Sequence, residues 1–331
     1  MTRPWAIRLW MVVLAVRVAP AAPDDFALRL SAAEQLYREG EYARAETTLR
    51  AVLKDAERFE PDDPRRAIAL NNLGAVYHFM NKYPEAEHCY RRAMELEATI
   101  RWAGDDKPIR SVLNLAGLYI ETGRYGKAEG LGLRSLAEQE PISRRNGTDY
   151  AKLLALLGHL ERAQARYLQA QQYCERALAI YKYALPEGRE TMETLSNLCI
   201  LYGESGRSAD ALTSCEGALG LAERMRNLEP SLHVSLLANV GALQFLVHGP
   251  SDAEPFFNKA LFVAENDLGA AHPVIGRILL SYAAVLDRTS RKTQAKECRR
   301  RAKVILEAAS VTDSRKYTVD LDDLLKKSSR R

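Results

Sequence analysis

Four asparagines, Asn72, Asn114, Asn197 and Asn239, fall 42, 83 and 42 residues apart. Asparagine is a mediocre helix former, so its return at one register asks for a reason beyond propensity. A side-chain amide carries a donor and an acceptor together, as a peptide unit does, so a row of amides can hold an extended backbone whatever its side chains. The same groups can instead cap or bridge neighbouring helices of their own chain, and both readings stand at this point. Ser31, Leu156 and Ser281 take the corresponding places elsewhere and leave gaps in the row.

Other reactive residue types are not spaced for catalysis. The six histidines, His78, His88, His159, His233, His248 and His272, show no H-E-x-x-H pair that would set two ligands on one helical face. The sequence has no P-loop, no glycine-rich dinucleotide turn and no G-x-S-x-G elbow. Adjacent carboxylates such as Asp62-Asp63 and Asp105-Asp106 lie between periodic segments, where charge at a helix start accounts for them. The expectation is therefore no enzyme, no cofactor and no metal. The five cysteines, Cys89, Cys174, Cys199, Cys215 and Cys298, are odd in number and lack C-x-x-C spacing. They read as small buried apolar residues. A Cys199–Cys215 disulfide is the competing reading, against which stands a usual helix spacing of ~8–10 Å and a Cα limit near ~7 Å for a bridge. Asn146-Gly147-Thr148 matches a glycosylation acceptor.

What positions these residues is a repeat. Ala45, Ala86, Ala128, Ala170, Ala211, Ala253 and Ala295 follow at steps of 41, 42, 42, 41, 42 and 42 residues. Within each period two apolar patterns of helical spacing flank a short break, as with Leu70, Leu73, Tyr77 and Met80 before Asn81-Lys82, and Tyr83, Ala86, Tyr90, Ala93 and Met94 after it. Gly40, Asn81, Gly123 and Gly206 stand at the breaks, where a helix needs a left-handed exit. Prolines at 61, 64, 108, 141, 186, 230 and 273 separate the periods. Gly74, Ala116, Gly158, Cys199, Gly241 and Ala283 form one column of small residues on the first helix, opposite the alanine column of the second. Small residues facing each other let helices approach closely.

With the aromatic column Tyr77, Tyr119 and Tyr202, these features resemble tetratricopeptide repeats. The period and the phrases ALNNLGAVY, SVLNLAGLY and DLGAAHPVIG are similar to the 42-residue variety of kinesin light chains. The resemblance implies an all-α fold: a right-handed α-α superhelix, or tetratricopeptide solenoid, of about seven helix-turn-helix repeats at roughly 26–66, 67–108, 109–150, 151–191, 192–233, 234–275 and 276–309. It also implies that the register of Asn72, Asn114, Asn197 and Asn239 lines a concave groove. Arg110, Lys152, His159, Arg162 and Arg277 fall on the same inferred face, with Glu193 and Glu204 as acidic exceptions. A locally basic groove of this kind would take an acidic or carboxylate-terminated segment of a protein or peptide.

The ends differ from the repeats. Arg3 and Arg8 precede a short apolar run, which Arg17 interrupts, and Ala19, Ala21 and Ala22 follow. This order predicts a signal peptide over 1–22, cut near Ala21/Ala22, and an exported protein, periplasmic or secreted. The run is too short for a membrane span. Loss of its three arginines takes a net charge of +4 close to neutrality, so neither nucleic acid nor an acidic membrane is an expected partner. Residues 310–331 read as a capping segment or a basic tail. The functional expectation is an exported interaction scaffold without catalysis; a self-associating assembly protein and a non-catalytic subunit of an enzyme complex are the alternatives.

Overall fold

The computed structural model describes residues 25–60, 62–100, 108–139, 147–226 and 228–308. The expected signal peptide, the acceptor Asn146 and the segment 310–331 lie outside them. The described residues hold fourteen α-helices and no strand. They belong to two compact units that part between Leu160 and Glu161.

The N-terminal unit contains α1 (Asp25–Arg38), α2 (Tyr42–Ala56), α3 (Pro64–Phe79), α4 (Tyr83–Thr99), α5 (Arg110–Glu121), α6 (Tyr125–Gln139) and most of α7 (Gly147–Ala163). Here α1 packs on α2, α3 on α4 and α5 on α6, while α2 meets α3, α4 meets α5, and α3 also touches both α1 and α5. The C-terminal unit repeats the plan with α8 (Tyr167–Ala184), α9 (Arg189–Glu204), α10 (Ser208–Ala222), α11 (Pro230–Val247), α12 (Pro250–Asp267), α13 (Pro273–Arg288) and α14 (Lys292–Ala308). Helix α11 is apolar and long enough to pass a length test for a membrane span, but it is mostly buried between its neighbours, as a core helix is.

Local chemistry sets the ends of the helices. Pro64 and Pro273 open α3 and α13, where no N–H is needed, and the preceding Asp63 and His272 accept from the backbone N–H groups of Arg65 and Val274. The breaks within pairs are left-handed, at Gly40, Asn81, Gly123 and Gly206 as expected. Ala165 and Ser290 adopt the same conformation without a residue type that announces it. At these turns the next N–H reaches back five residues, as in Lys82 to Tyr77, Arg166 to Glu161 and Arg291 to Leu286. Those bonds satisfy carbonyls that the helix end would leave open, and so offset the strain of the left-handed residue.

The small-residue column meets the residue sixteen positions later, and the two sizes compensate. Gly74 faces Tyr90 and Gly241 faces Phe257, each bare Cα lying against a ring. In α9 and α10 both partners are cysteine, and Cys199 and Cys215 form a disulfide with Cα atoms 5.1 Å apart. The ordinary spacing of helix axes therefore does not govern this position, because small side chains in the core bring the two backbones together here.

Neighbouring pairs are tied by a recurring polar latch. Arg50 and Arg91 donate to the hydroxyls of Tyr77 and Tyr119 on the following helices at 2.8 and 3.1 Å. Lys82 pairs with Glu46 at 2.9 Å, and Arg124 pairs with Glu87. In the C-terminal unit Tyr202 donates to Glu175 at 2.6 Å, and Tyr282 to Glu254 at 2.7 Å. Arg207 and Arg291 lie after the turns of those helices and reach back to Gln171 and Glu254. The aromatic column thus joins one pair to the next by its hydroxyls as well as by its rings.

Candidate interaction surface

In the N-terminal unit the odd helices α1, α3 and α5 stand side by side, and their shared seam is polar. Asn72 is buried and its Nδ2 donates to Glu34 Oε1 of α1 at 3.4 Å. Asn114, also buried, donates to Asn71 Oδ1 of α3 at 3.0 Å. Ser111 donates to Glu97 Oε1 at 2.8 Å and lies 3.4 Å from the same Asn71 oxygen. Further along, His78 Nε2 meets Glu121 Oε2 at 2.7 Å, and Tyr83 donates to the other oxygen of that carboxylate. Two of the four amides expected to face a ligand therefore hydrogen-bond across neighbouring pairs.

Arg110 caps this seam. Burial holds its guanidinium below the ordinary value of an arginine, while the carboxylates of Glu97, Glu34 and Asp149 act in the opposite direction. Burial also raises the Glu34 carboxyl, and Arg38, Asn72 and Arg110 counter it. Lys152, one turn into α7, donates to Asp149 Oδ1 at 2.6 Å. His159 is half-buried on the same helix.

The C-terminal unit carries its own set. Arg162 lies 3.6 Å from Glu204, and Arg189 donates to Glu193 Oε1 at 2.7 Å. Burial raises the Glu193 carboxyl to about 7, an effect that Arg189 only partly offsets, with Glu190 and Glu229 adding repulsion. Asn239 is buried, whereas Asn197 and Arg277 are half-buried.

These distances correct the picture of a basic groove. Arg110 and Lys152 in the N-terminal unit, and Arg162 in the C-terminal unit, each have a carboxylate of the same unit beside them, so each unit carries both signs there. Sequence columns missed the carboxylates, because Glu34, Glu97 and Asp149 come from three different places in the repeat and no single register collects them. Asn71 was also missed. Its column reads Leu30, Asn71, Leu113, Ala155, Ser196, Ala238 and Leu280, which signals packing far more than hydrogen bonding. Among the described residues no cluster of three or more histidine, cysteine, aspartate or glutamate side chains is placed to hold a metal ion.

Residues 25–99 match the family model for the tetratricopeptide repeat. No curated protein sequence matches the chain. Solved structures share its fold at low identity. A kinesin light chain protein of Podosopora anserina with nearly identical TPR-like repeats is 17% identical with a TM-score of 0.54, over 62% of this chain and 97% of that one. A Rap protein complexed with Competence and Sporulation Factor is 16% identical with a TM-score of 0.54, over 86% and 77%. A signal transduction ATPase with a tetratricopeptide repeat sensor, from Pyrococcus horikoshii, is 16% identical with a TM-score of 0.66, over 93% and 45%. Residues 25–99 are thus tetratricopeptide repeats, and the chain has the all-α helical repeat fold of proteins built from them.

Proposed function

We propose that this chain is a non-catalytic protein-interaction scaffold that holds a segment of a protein or peptide against its odd-numbered helices. The observation that carries the reading is the polar seam of α1, α3 and α5, set into helices that are otherwise apolar on their packed faces. Buried polar groups cost free energy unless fully satisfied, so the seam is a poor way to gain stability alone. It is a good way to hold side chains at fixed positions for a partner. The Rap protein complexed with Competence and Sporulation Factor supports the reading, since a protein of this fold there carries a bound factor.

Within this reading Asn72 and Asn114 hold the helices, Asn239 lies buried in α11, and the half-buried Arg110, Lys152 and His159 face the partner in the N-terminal unit. Arg162 and Asn197 do so in the C-terminal unit. The alternation of charge favours a partner that is itself mixed in charge. Export after removal of residues 1–22 completes the proposal, on the strength of the basic head, apolar middle and small-residue exit of that segment.

Capture by the mature chain, read by mass spectrometry, supplies the partner, and calorimetry then compares Arg110→Ala with Lys152→Ala against wild type. Each loses a charge-assisted hydrogen bond worth ~1.5–3 kcal/mol, so affinity should fall by roughly 10- to 150-fold. Unchanged affinity in both variants removes the seam as the binding surface, and capture of only the chain itself moves the function to self-assembly. N-terminal sequencing of the protein from its natural host checks export separately; a chain that still begins at Met1 overturns that part.

A further inference from the structure

The last helix pair departs from the repeat on the edge where the next pair would sit. One column of the odd helices reads Leu30, Asn71, Leu113, Ala155, Ser196 and Ala238, all buried, and then Leu280, which is 45% exposed. A column of the even helices reads Leu53, Met94, Leu136, Leu178, Leu219 and Leu261, and then Lys303, whose side chain is 74% exposed. The column that supplies Glu46, Glu87, Gln171 and Glu254 to the latches ends in Lys296. Arg300 lies one turn beyond Lys296 and is also exposed. Every latch described above offers an oxygen acceptor to the cation that follows the next turn. On α14 that place is taken by a cation.

A terminal repeat needs a solvated outer face, but solvation alone asks for charge of either sign. Here three cations share one edge, beside an apolar residue left uncovered, and their local partners are the exposed Glu297 and Glu307 of the same helix. Exposed pairs of that spacing contribute ~0.3–0.5 kcal/mol and leave the edge available. An acidic segment with apolar residues fits it, whereas another repeat of the usual kind, with its cation after the turn, does not.

We propose that residues 319–325 of this chain occupy that edge. They read VDLDDLL, so Asp320, Asp322 and Asp323 alternate with Val319, Leu321, Leu324 and Leu325. The acids meet Lys296, Arg300 and Lys303, and the leucines cover Leu280 and the neighbouring Leu306, which lies over the bare Cα of Gly276. Basic residues on both sides, Arg315-Lys316 and Lys326-Lys327, confine the fitting stretch to this segment. The tether is long enough: ten residues between Ala308 and Val319 reach up to about 33–36 Å, and α14 from Lys296 to Ala308 spans about 18 Å. A tethered segment acts at an effective concentration in the millimolar range. A second copy, whose first pair presents Glu41 where five of the six later pairs present lysine or arginine, competes only at its bulk concentration.

Hydrogen exchange of the full chain tests the assignment. Amides of 319–325 should exchange about tenfold or more slowly than a free peptide of that sequence. The triple variants Asp320→Asn, Asp322→Asn, Asp323→Asn and Lys296→Glu, Arg300→Glu, Lys303→Glu should each abolish that protection. Combining the lysine and arginine reversals with Asp320→Lys, Asp322→Lys and Asp323→Lys should restore it. All variants alter exposed positions or the segment itself, and an unchanged far-UV spectrum verifies that the helices persist. Free-peptide exchange in wild type, or protection indifferent to both charge variants, overturns the proposal. Protection that grows with protein concentration also overturns it and names a second copy as the occupant.

Discussion

A methyl group added at Gly74 measures how closely the paired helices depend on size compensation. A Cβ built there falls 2.7 and 2.8 Å from two ring carbons of Tyr90 and 3.1 Å from the Cys89 Cβ. The Tyr90 ring is buried, and it meets the ring of His78 edge-on, itself held by Glu121, so it cannot swing aside without opening the seam. Overpacking of this kind costs ~1–3 kcal/mol, and the helix propensity of alanine over glycine returns up to ~1 kcal/mol. Contacts this short belong to the upper part of that range, ~2–3 kcal/mol, so the net loss is about 1–2 kcal/mol, or roughly 2–8 °C in melting temperature for a unit of this size. Gly220→Ala is the control: nothing lies within 4 Å of its Cβ, so only the propensity gain remains and the melting temperature should rise. Gly241→Ala belongs between the two, with contacts of 3.2 Å to Phe256 and of 3.2 and 3.3 Å to the Phe257 ring. Thermal melts followed by circular dichroism rank the three. In a Tyr90→Leu background the cost of Gly74→Ala should largely vanish. A Gly74→Ala protein that melts at or above wild type would refute the argument.

Thiol titration of the oxidised chain in denaturant should find three free thiols, and five after reduction; five in both conditions would show that Cys199 and Cys215 are unlinked. Reduction should lower stability by about 3 kcal/mol, the value expected for a loop of this length. Glu193 makes stability depend on pH, because its carboxyl rises from an ordinary 4.5 to about 7 in the folded state. The folded protein favours the proton at this site, so the contribution of Glu193 to stability is greatest below about pH 4.5 and is lost as pH rises towards and through 7. Glu193→Gln should flatten that fall, gaining up to about 3 kcal/mol at pH 8; parallel pH profiles for the two proteins would contradict the assignment. Asn114→Ala takes from Asn71 its amide donor and should cost ~1–3 kcal/mol, whereas a chemical melt of Asn197→Ala should lie within about 0.5 kcal/mol of wild type. Equal losses at both sites would mean the two amides do the same work.

The helices and their pairing were legible because a repeat writes its rules several times. One glycine at a break is weak evidence, but glycine or asparagine at positions 40, 81, 123 and 206 marks a left-handed exit, and all four adopt it. Ala165 and Ser290 escaped that reading, since their conformation is imposed by the return hydrogen bonds of the turn and not by residue type. The Cys199–Cys215 link was legible as a pairing and not as a distance. Average helix spacing argued against it, yet the bond falls at the small-residue contact, where Cα atoms come within 5.1 Å.

Side chains that vary from repeat to repeat were not legible, and the interaction surface is built from them. Arg110 stood out as a cation on an inferred face. Its charge is balanced by Glu34 of α1, Glu97 of α4 and Asp149 of α7, a convergence on the start of α5 that no single register shows. Columns detect what every repeat must share, which is packing. Specificity resides in what the repeats do not share, so in a stack of similar units the residues that select a partner are those for which periodicity gives no warning. The same logic turns the final repeat into a source of information. Lys296 ends a column that is mostly glutamate and Lys303 one that is otherwise leucine and methionine, and it is this departure on which the proposed seat of residues 319–325 rests.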